Sequence, residues 1–486
     1  MTSTLDSCRT RWLALIVLCL GELMIVLDTT IVNVALPSIR EDLAFTETSL
    51  VWVVNAYMVT YGGFLLLGGR LGDLFGQRGL FLFGITLFTL ASLVCGLASS
   101  QGLLVVARAV QGLGGAVVSA IALSLIMNLF SEPADRAKAM GIFGFVCAGG
   151  GSIGVLLGGL LTSALSWHWI FLVNIPIGAA VYALTVALLE ESRAPAAARL
   201  DVGGAVTVTA SLMLAVYAVV NGNEAGWTST QTLALLGAAA VLLALFLAIE
   251  ARVRDPLMPL RLFRLRSVAT ANVVGILWSA AMFAWFFVSA LYLQLVLGYS
   301  AMQVGLAFLP ANLIMAAFSL GISARMVMRF GIRVPLAAGL ALTAAGLALF
   351  ALSPADGSFA LHVLPGMTLL GIGCGMAMNP VLLAAMSDVA PSESGLASGV
   401  VNTSFMMGGA LGLAVLASLA AARTDKLVAL GADSLAALNG GYHVAFALGA
   451  VFAAAAALFS ALLLRAGRQA PANKGGREAV VTAPGS

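Results

Sequence analysis

Apolar residues do not alternate with polar ones in this chain; they run on. Fourteen windows stay mostly apolar for about 20 residues, the length at which a helix crosses a bilayer. They are 12–36, 49–68, 80–98, 102–124, 139–163, 169–189, 203–220, 232–249, 269–296, 304–324, 334–353, 360–386, 398–421 and 443–464. A transmembrane barrel would show alternating segments of about ten residues instead. The pattern therefore predicts an all-α integral membrane protein with 14 transmembrane helices.

Composition agrees. Hydrophobic residues make up 61% of the 486 and charged residues 9%, against about 25% charged in a soluble domain. Charge placement then sets orientation. With both termini cytoplasmic, nearly all of the 24 Lys and Arg fall inside. They include Arg9, Arg11, Arg70, Arg78, Arg136, Lys138, the cluster Arg252, Arg254, Arg261, Arg264 and Arg266, and Arg465, Arg468, Lys474 and Arg477. Only Arg40, Arg423 and Lys426 lie outside, and Arg108 lies within a span. That is the positive-inside asymmetry. The net charge of +3 is spent on topology, which excludes a basic nucleic-acid-binding face. Arg far outnumbers Lys, and Ala and Leu dominate, as in a GC-rich bacterial genome; the membrane is then the bacterial plasma (inner) membrane.

The first window is too long for a signal-peptide core of about 7–15 residues, and it holds two acids, so it is expected to be retained. Cys19, Cys95, Cys147 and Cys374 lie within windows and Cys8 before the first, so no disulfide is expected. His168, His362 and His443 map to outer ends or loops without metal-ligand spacing, and neither metal nor cofactor is implied.

Two segments resemble each other: GRLGDLFGQR (69–78) and ARMVMRFGIR (324–333), each with a Gly two residues before its final Arg. Repeats of this kind mark secondary transporters built from two related halves. The copies are too far apart for six compact spans and suit eight. The order is therefore six helices, an inserted pair and six more. The divisions are an N-terminal half 1–190, a linker and inserted pair 191–266, a C-terminal half 267–465, and a disordered cytoplasmic tail 466–486.

Four motifs resemble the fourteen-span drug:proton antiporter branch of the major facilitator superfamily, over nearly the whole chain. LDTTIVNVALP (27–37) matches that branch's first-helix signature, and GRLGDLFGQR the superfamily's loop between helices two and three. RAVQGLGGA (108–116) is similar to its fourth-helix motif, and WHWIFLVNIPIG (167–178) to the start of its sixth helix. The resemblance implies proton-coupled efflux of amphipathic drugs or antibiotics. Its partners would be a small amphipathic substrate, cationic in some cases, protons and the lipid bilayer. An alternative is a dedicated exporter of one metabolite, such as a self-made antibiotic. An enzyme or sensor finds no support, since no nucleotide-binding Gly–Lys motif or metal cluster is present; ATP-driven pumping fails on the same ground.

Residue roles follow. Glu22 and Asp28 sit inside the first window, where a carboxylate costs about 2.5–3.5 kcal/mol on insertion scales. Helix rise puts Glu22 roughly 15 Å in from Trp12, near mid-membrane, and Asp28 at the depth of Arg108. The expected proton-coupling set is Asp28 paired with Arg108, and Glu22, with no basic residue at its depth, carrying a proton. In the loop motif, Gly69, Gly72 and Gly76 are expected to permit a tight turn and close helix approach, with Asp73 gating at the seam of the halves and Arg78 its nearby counter-charge. Gly150, Gly154 and Gly158, with Gly159, form a small face for helix packing. Four positions depart from the family pattern: Val155 stands where Pro is usual, His168 where Arg is, and Phe405 and Met406 where polar or basic residues are common. The second half-cavity is therefore expected to be more apolar than usual.

Cavity candidates are Asn55, Tyr57, Tyr61, Trp285, Asn379, Asn402 and Met406. Met376, Met378 and Met407 would add adaptable surface. Trp12, Trp52, Trp167, Trp169 and Trp227 suit the interfacial belt, and Trp278 and Trp285, taken singly, are expected to face lipid.

Overall fold

A computed structural model describes residues 2–130, 132–189, 201–253, 256–389 and 394–464. The side chains of 2–9, 69–70, 73–75, 133–134, 136–137, 140–141, 144, 147–148, 152, 224, 319–320, 394–396 and 398 are not among those described. The Asp73 side chain, most of the 190–201 linker and the tail after 464 thus lie outside the described residues.

The helices are α1 (Thr2–Leu43), α2 (Glu47–Phe75), α3 (Gln77–Gly96), α4 (Gln101–Leu129), α5 (Pro133–Ala164), α6 (Trp169–Leu172), α7 (Asn174–Leu188), α8 (Val202–Ala225) and α9 (Thr230–Glu250). They continue with α10 (Arg266–Leu291), α11 (Ala301–Ala317), α12 (Ser323–Phe330), α13 (Arg333–Phe350), α14 (Leu364–Met386), α15 (Ser394–Ala429) and α16 (Ser434–Leu463). Wide π-helical turns follow α10 and α11 and precede α14. Among the described residues there is no strand. Among the described residues twelve helical stretches are long and apolar enough to cross a membrane; Gly149–Ala164 and Ala301–Ala317 are apolar but shorter.

Local chemistry sets the helix ends. At α2, Thr46 accepts from the Ser49 N–H while the Ser49 hydroxyl accepts from the Thr46 N–H, and Ser300 and Gln303 do the same at α11. Such reciprocal caps satisfy N–H groups that the first turn leaves unpaired. Ser100, Asp201, Ser229 and Asp433 cap α4, α8, α9 and α16. The two repeated segments end alike: Gly76 closes α2 at φ 88° and Gly331 closes α12 at φ 75°, a backbone region that favours glycine. Gly69 and Gly72 lie inside α2 rather than in that turn; Gly72 does give the expected close helix approach, against Ile121 of α4. The turn needs one left-handed residue, and Gly76 supplies it.

Packing repeats as well. In the first group α1 packs on α5 and α7, α2 on α4, and α3 on α4 and α7. In the second, α10 packs on α15 and α16, α11 on α14, and α13 on α14 and α16. The groups meet where α5 lies against α11 and α2 against α15. α8 covers the α2–α15 seam, and α9 packs mainly on α8.

Candidate functional site

Glycines let the site assemble. A Cβ on Gly112 would sit 2.3 Å from the Tyr57 carbonyl oxygen, and one on Gly114 2.7 Å from the Phe88 nitrogen. The Gly-rich stretch of α4 therefore seats it hard against α2 and α3. Gly150, Gly154 and Gly158 do the same for α5 on α1, facing Val26, Leu27 and Ile31. Gly159 points the other way, to the Ala301 carbonyl of α11, beside Gly305, which faces the Val155 carbonyl. The four glycines serve two different contacts.

Within this frame Asp28 is fully buried. Its Oδ2 pairs with Arg108 Nη1, while its Oδ1 accepts from Gln111 Nε2 at 2.7 Å and from Asn174 Nδ2 at 3.2 Å. Arg108, also buried, donates through Nε to the Val53 carbonyl at 2.9 Å and through Nη1 to Gln111 Oε1 at 2.7 Å. Ser92 accepts from both Gln111 Nε2, at 3.1 Å, and Asn174 Nδ2, at 2.9 Å, and donates to the Phe171 carbonyl at 3.0 Å. The guanidinium lies over the rings of Tyr57, 4.5 Å away, and Phe171, 5.6 Å away, a placement that the ring faces favour. Six helices thus contribute to one buried, charge-assisted network.

Glu22 is in a different setting. It is buried beside the Ser119 hydroxyl, yet its Oε2 lacks a hydrogen-bond partner. A carboxyl in that setting bears the desolvation cost of any charge without a partner to offset it. Tyr57, whose hydroxyl is also unpartnered, lies within electrostatic reach of both Glu22 and Asp28. Tyr61 stacks on Tyr57, with ring centroids 5.8 Å apart.

The other candidates scatter. Asn55 donates to the Ala410 carbonyl at 3.0 Å, a tie between α2 and α15. Met406 and Met407 lie against Gly62 at that seam; Met376 is buried and Met378 exposed. Asn379 and Asn402 are half-buried. Trp285 packs with Phe286 and Phe308, and Trp278 with Phe405. Both indoles are buried, which corrects the expectation that they face lipid; α10 lies inside its group, packed on α14, α15 and α16. Trp167 is likewise buried, donating to Asp42 at 2.9 Å and stacked on His168, so packing rather than an interfacial belt accounts for it. Arg78 donates to the Val186 carbonyl of α7 at 2.9 Å.

Sequence reasoning passed over Gln111, Asn174 and Ser92. Gln111 follows Arg108 by three residues, on the same helix face, and Asn174 lies inside the sixth-helix motif, so both were findable; Ser92 carries no local signal.

The family model for the Major Facilitator Superfamily matches residues 18–413. The puromycin resistance protein pur8 of Streptomyces alboniger is 39% identical over 447 residues, covering 90% of this chain and 89% of its own. The cephamycin export protein CmcT of Amycolatopsis lactamdurans is 38% identical over 474 residues, covering 97% and 96%. Among solved structures, an auto-inhibited peptide transporter of the POT family superposes with a TM-score of 0.65 at 17% identity, covering 95% of this chain and 99% of that one. With its paired helix groups and the Asp28–Arg108 network at the core of the first, the chain belongs to the major facilitator superfamily.

Proposed function

We propose that this protein exports amphipathic drugs or antibiotics across the bacterial plasma membrane in exchange for protons. What carries this reading is the pairing of a satisfied acid, Asp28 with Arg108, and an unsatisfied one, Glu22, about 9 Å apart along one helix. A cationic substrate and a proton then compete for the acids, and that competition is antiport. Tyr57, Tyr61, Asn55, Trp285, Asn379, Asn402 and Met406 are the proposed cavity residues. The chain crosses the membrane fourteen times with both termini cytoplasmic, as halves 1–190 and 267–465, an inserted stretch 191–266 and a tail 466–486. Alternation is a rocking of the halves, with Gly69, Asp73, Gly76 and Arg78 at the cytoplasmic seam and Gly150, Gly154, Gly158 and Gly159 on the α5 packing face.

The test is uptake of a panel of cationic and neutral dyes by inside-out vesicles given only a pH gradient. Gradient-dependent accumulation is expected, and transport indifferent to the gradient would overturn the coupling. A second reading is supported by the relative named for cephamycin export: one dedicated metabolite. Sensitivity of a deletion strain to a single compound, rather than to a broad panel, would favour it.

A further inference from the structure

The inserted pair holds two acids that the export reading does not use. Asp201 precedes α8 and Glu250 ends α9, at the same end of the bundle, and both are at least nine-tenths buried. One oxygen of each is satisfied by backbone: Asp201 Oδ1 accepts from the Gly204 N–H at 2.7 Å, and Glu250 Oε2 from the Met258 N–H at 3.0 Å. The other oxygen of each, Asp201 Oδ2 and Glu250 Oε1, has no donor. Those two oxygens converge. A Cβ on Gly204 would lie 2.5 Å from the first and 2.9 Å from the second, so both oxygens face the same point beside Gly204.

Among the described residues no ion pair reaches either acid; those found are Arg40–Glu47 and Arg108–Asp28. Of the neighbouring ionisable groups, Tyr217 and Glu224 lie toward the far end of α8, Glu47, Tyr57 and Tyr61 farther along α2, and Arg423, Asp425 and Lys426 at the far end of α15. Arg252, Arg261, Arg264 and Arg266 are exposed; Glu190, Glu191, Arg193, Arg199, Arg254, Asp255 and the side chains of Arg70 and Asp73 lie outside the described residues. Two buried carboxyl groups whose unpartnered oxygens converge on one point repel each other when both are charged. One proton between them makes a short, charge-assisted O–H···O bond and supplies both missing partners at once.

We propose that Asp201 and Glu250 form a second protonation site, distinct from the acids of α1, in which one shared proton latches the base of the inserted hairpin. The latch has something to hold. Glu250 fixes Met258, which packs with Val208, Phe246 and Met407, and the adjoining Leu257 packs with Leu67 and Ala205. The segment after α9 thereby touches both α2 and α15, so loss of the proton frees the packing at one end of the seam between the groups.

The test is hydrogen exchange at the Gly204 and Met258 amides of the full-length protein in nanodiscs, corrected for intrinsic rate. Wild-type protection should fall about tenfold between about pH 6 and about pH 9, as the shared proton leaves. Glu250→Gln and Asp201→Asn each place an amide N–H where the proton was, so each should stay protected throughout. The double variant sets two amide donors face to face and should be open at every pH. A pH-independent wild type, a double variant as protected as the singles, or protection that follows sodium or potassium rather than pH would overturn the shared proton.

Discussion

Arg108 and Asp28 pair across α4 and α1, and the same guanidinium also donates to the Val53 carbonyl of α2, so one side chain fastens three helices. With Gln111 and Asn174 on the other carboxylate oxygen, Asp28 is a junction as well as an acid.

That dual role gives a prediction with two readouts. Asp28→Asn should abolish efflux driven by a pH gradient. It should also destabilise the protein by about 3–5 kcal/mol, because the buried Arg108 charge loses its counter-ion. Pairing it with Arg108→Gln should recover most of the stability and none of the transport. Recovery of both in the double variant would make the pair structural only. Thermal unfolding and vesicle uptake on the same preparations decide it.

The inserted pair predicts an accessibility pattern. α8 ends near Gly222 at the face of the α1–α2 turn, and the Arg-rich segment after α9 lies at the opposite face. A cysteine replacing Gly222 should react with an impermeant maleimide in intact cells. One replacing Arg261 should react only after permeabilisation. The reverse labelling would invert the proposed orientation.

The sequence carried the helices because apolar length is a one-dimensional signal, and most of each window falls on helix, although 97–98 and 351–353 lie past the ends of α3 and α13. Depth was legible too. Helix rise alone brought Asp28 level with Arg108, and the two are in contact. Rotation about each helix axis was not legible, since it depends on partners far along the chain. Asn55 therefore reads as a cavity residue in sequence but bonds the Ala410 carbonyl across the seam. Trp278 and Trp285 likewise read as lipid-facing although three helices enclose α10. Ser92 is one more hydroxyl in an apolar run until Gln111 and Asn174 arrive from α4 and α7.

Adjacent glycines of α5 separate packing within a group from packing between groups. A Cβ on Gly158 would meet the Ile31 carbonyl oxygen of α1 at 2.7 Å, and one on Gly159 the Ala301 carbonyl oxygen of α11 at 2.8 Å. Both obstacles are backbone, so neither yields cheaply, and overpacking costs about 1–3 kcal/mol. Gly158→Ala should lower the unfolding temperature. Gly159→Ala should chiefly loosen the contact between groups, near where Met302 N–H donates to the Ser163 hydroxyl. Cross-linking of cysteines at 163 and 302 should weaken only in Gly159→Ala; equal loss in both variants would refute the division.

Glu22 yields the most selective prediction. Its Oε2 lacks a partner and no ion pair involves it among the described residues, so removing its charge breaks no described network. Glu22→Gln keeps the shape and the hydrogen-bonding capacity toward Ser119, and the fold should survive with its unfolding temperature nearly unchanged. What disappears is the charge that can meet a cation in a low-dielectric space, where Coulomb attraction is stronger than in water. Efflux of cationic dyes should therefore fall about tenfold or more, the effect of roughly 1.4 kcal/mol of lost attraction, while neutral dyes are transported nearly as before. Asp28→Asn should stop both classes, because it removes the coupling acid rather than the cation's partner. Uptake of matched cationic and neutral dyes by the two variants separates the roles. If Glu22→Gln reduced both classes equally, Glu22 would belong to proton coupling alone; if it reduced neither, substrate charge would be met elsewhere.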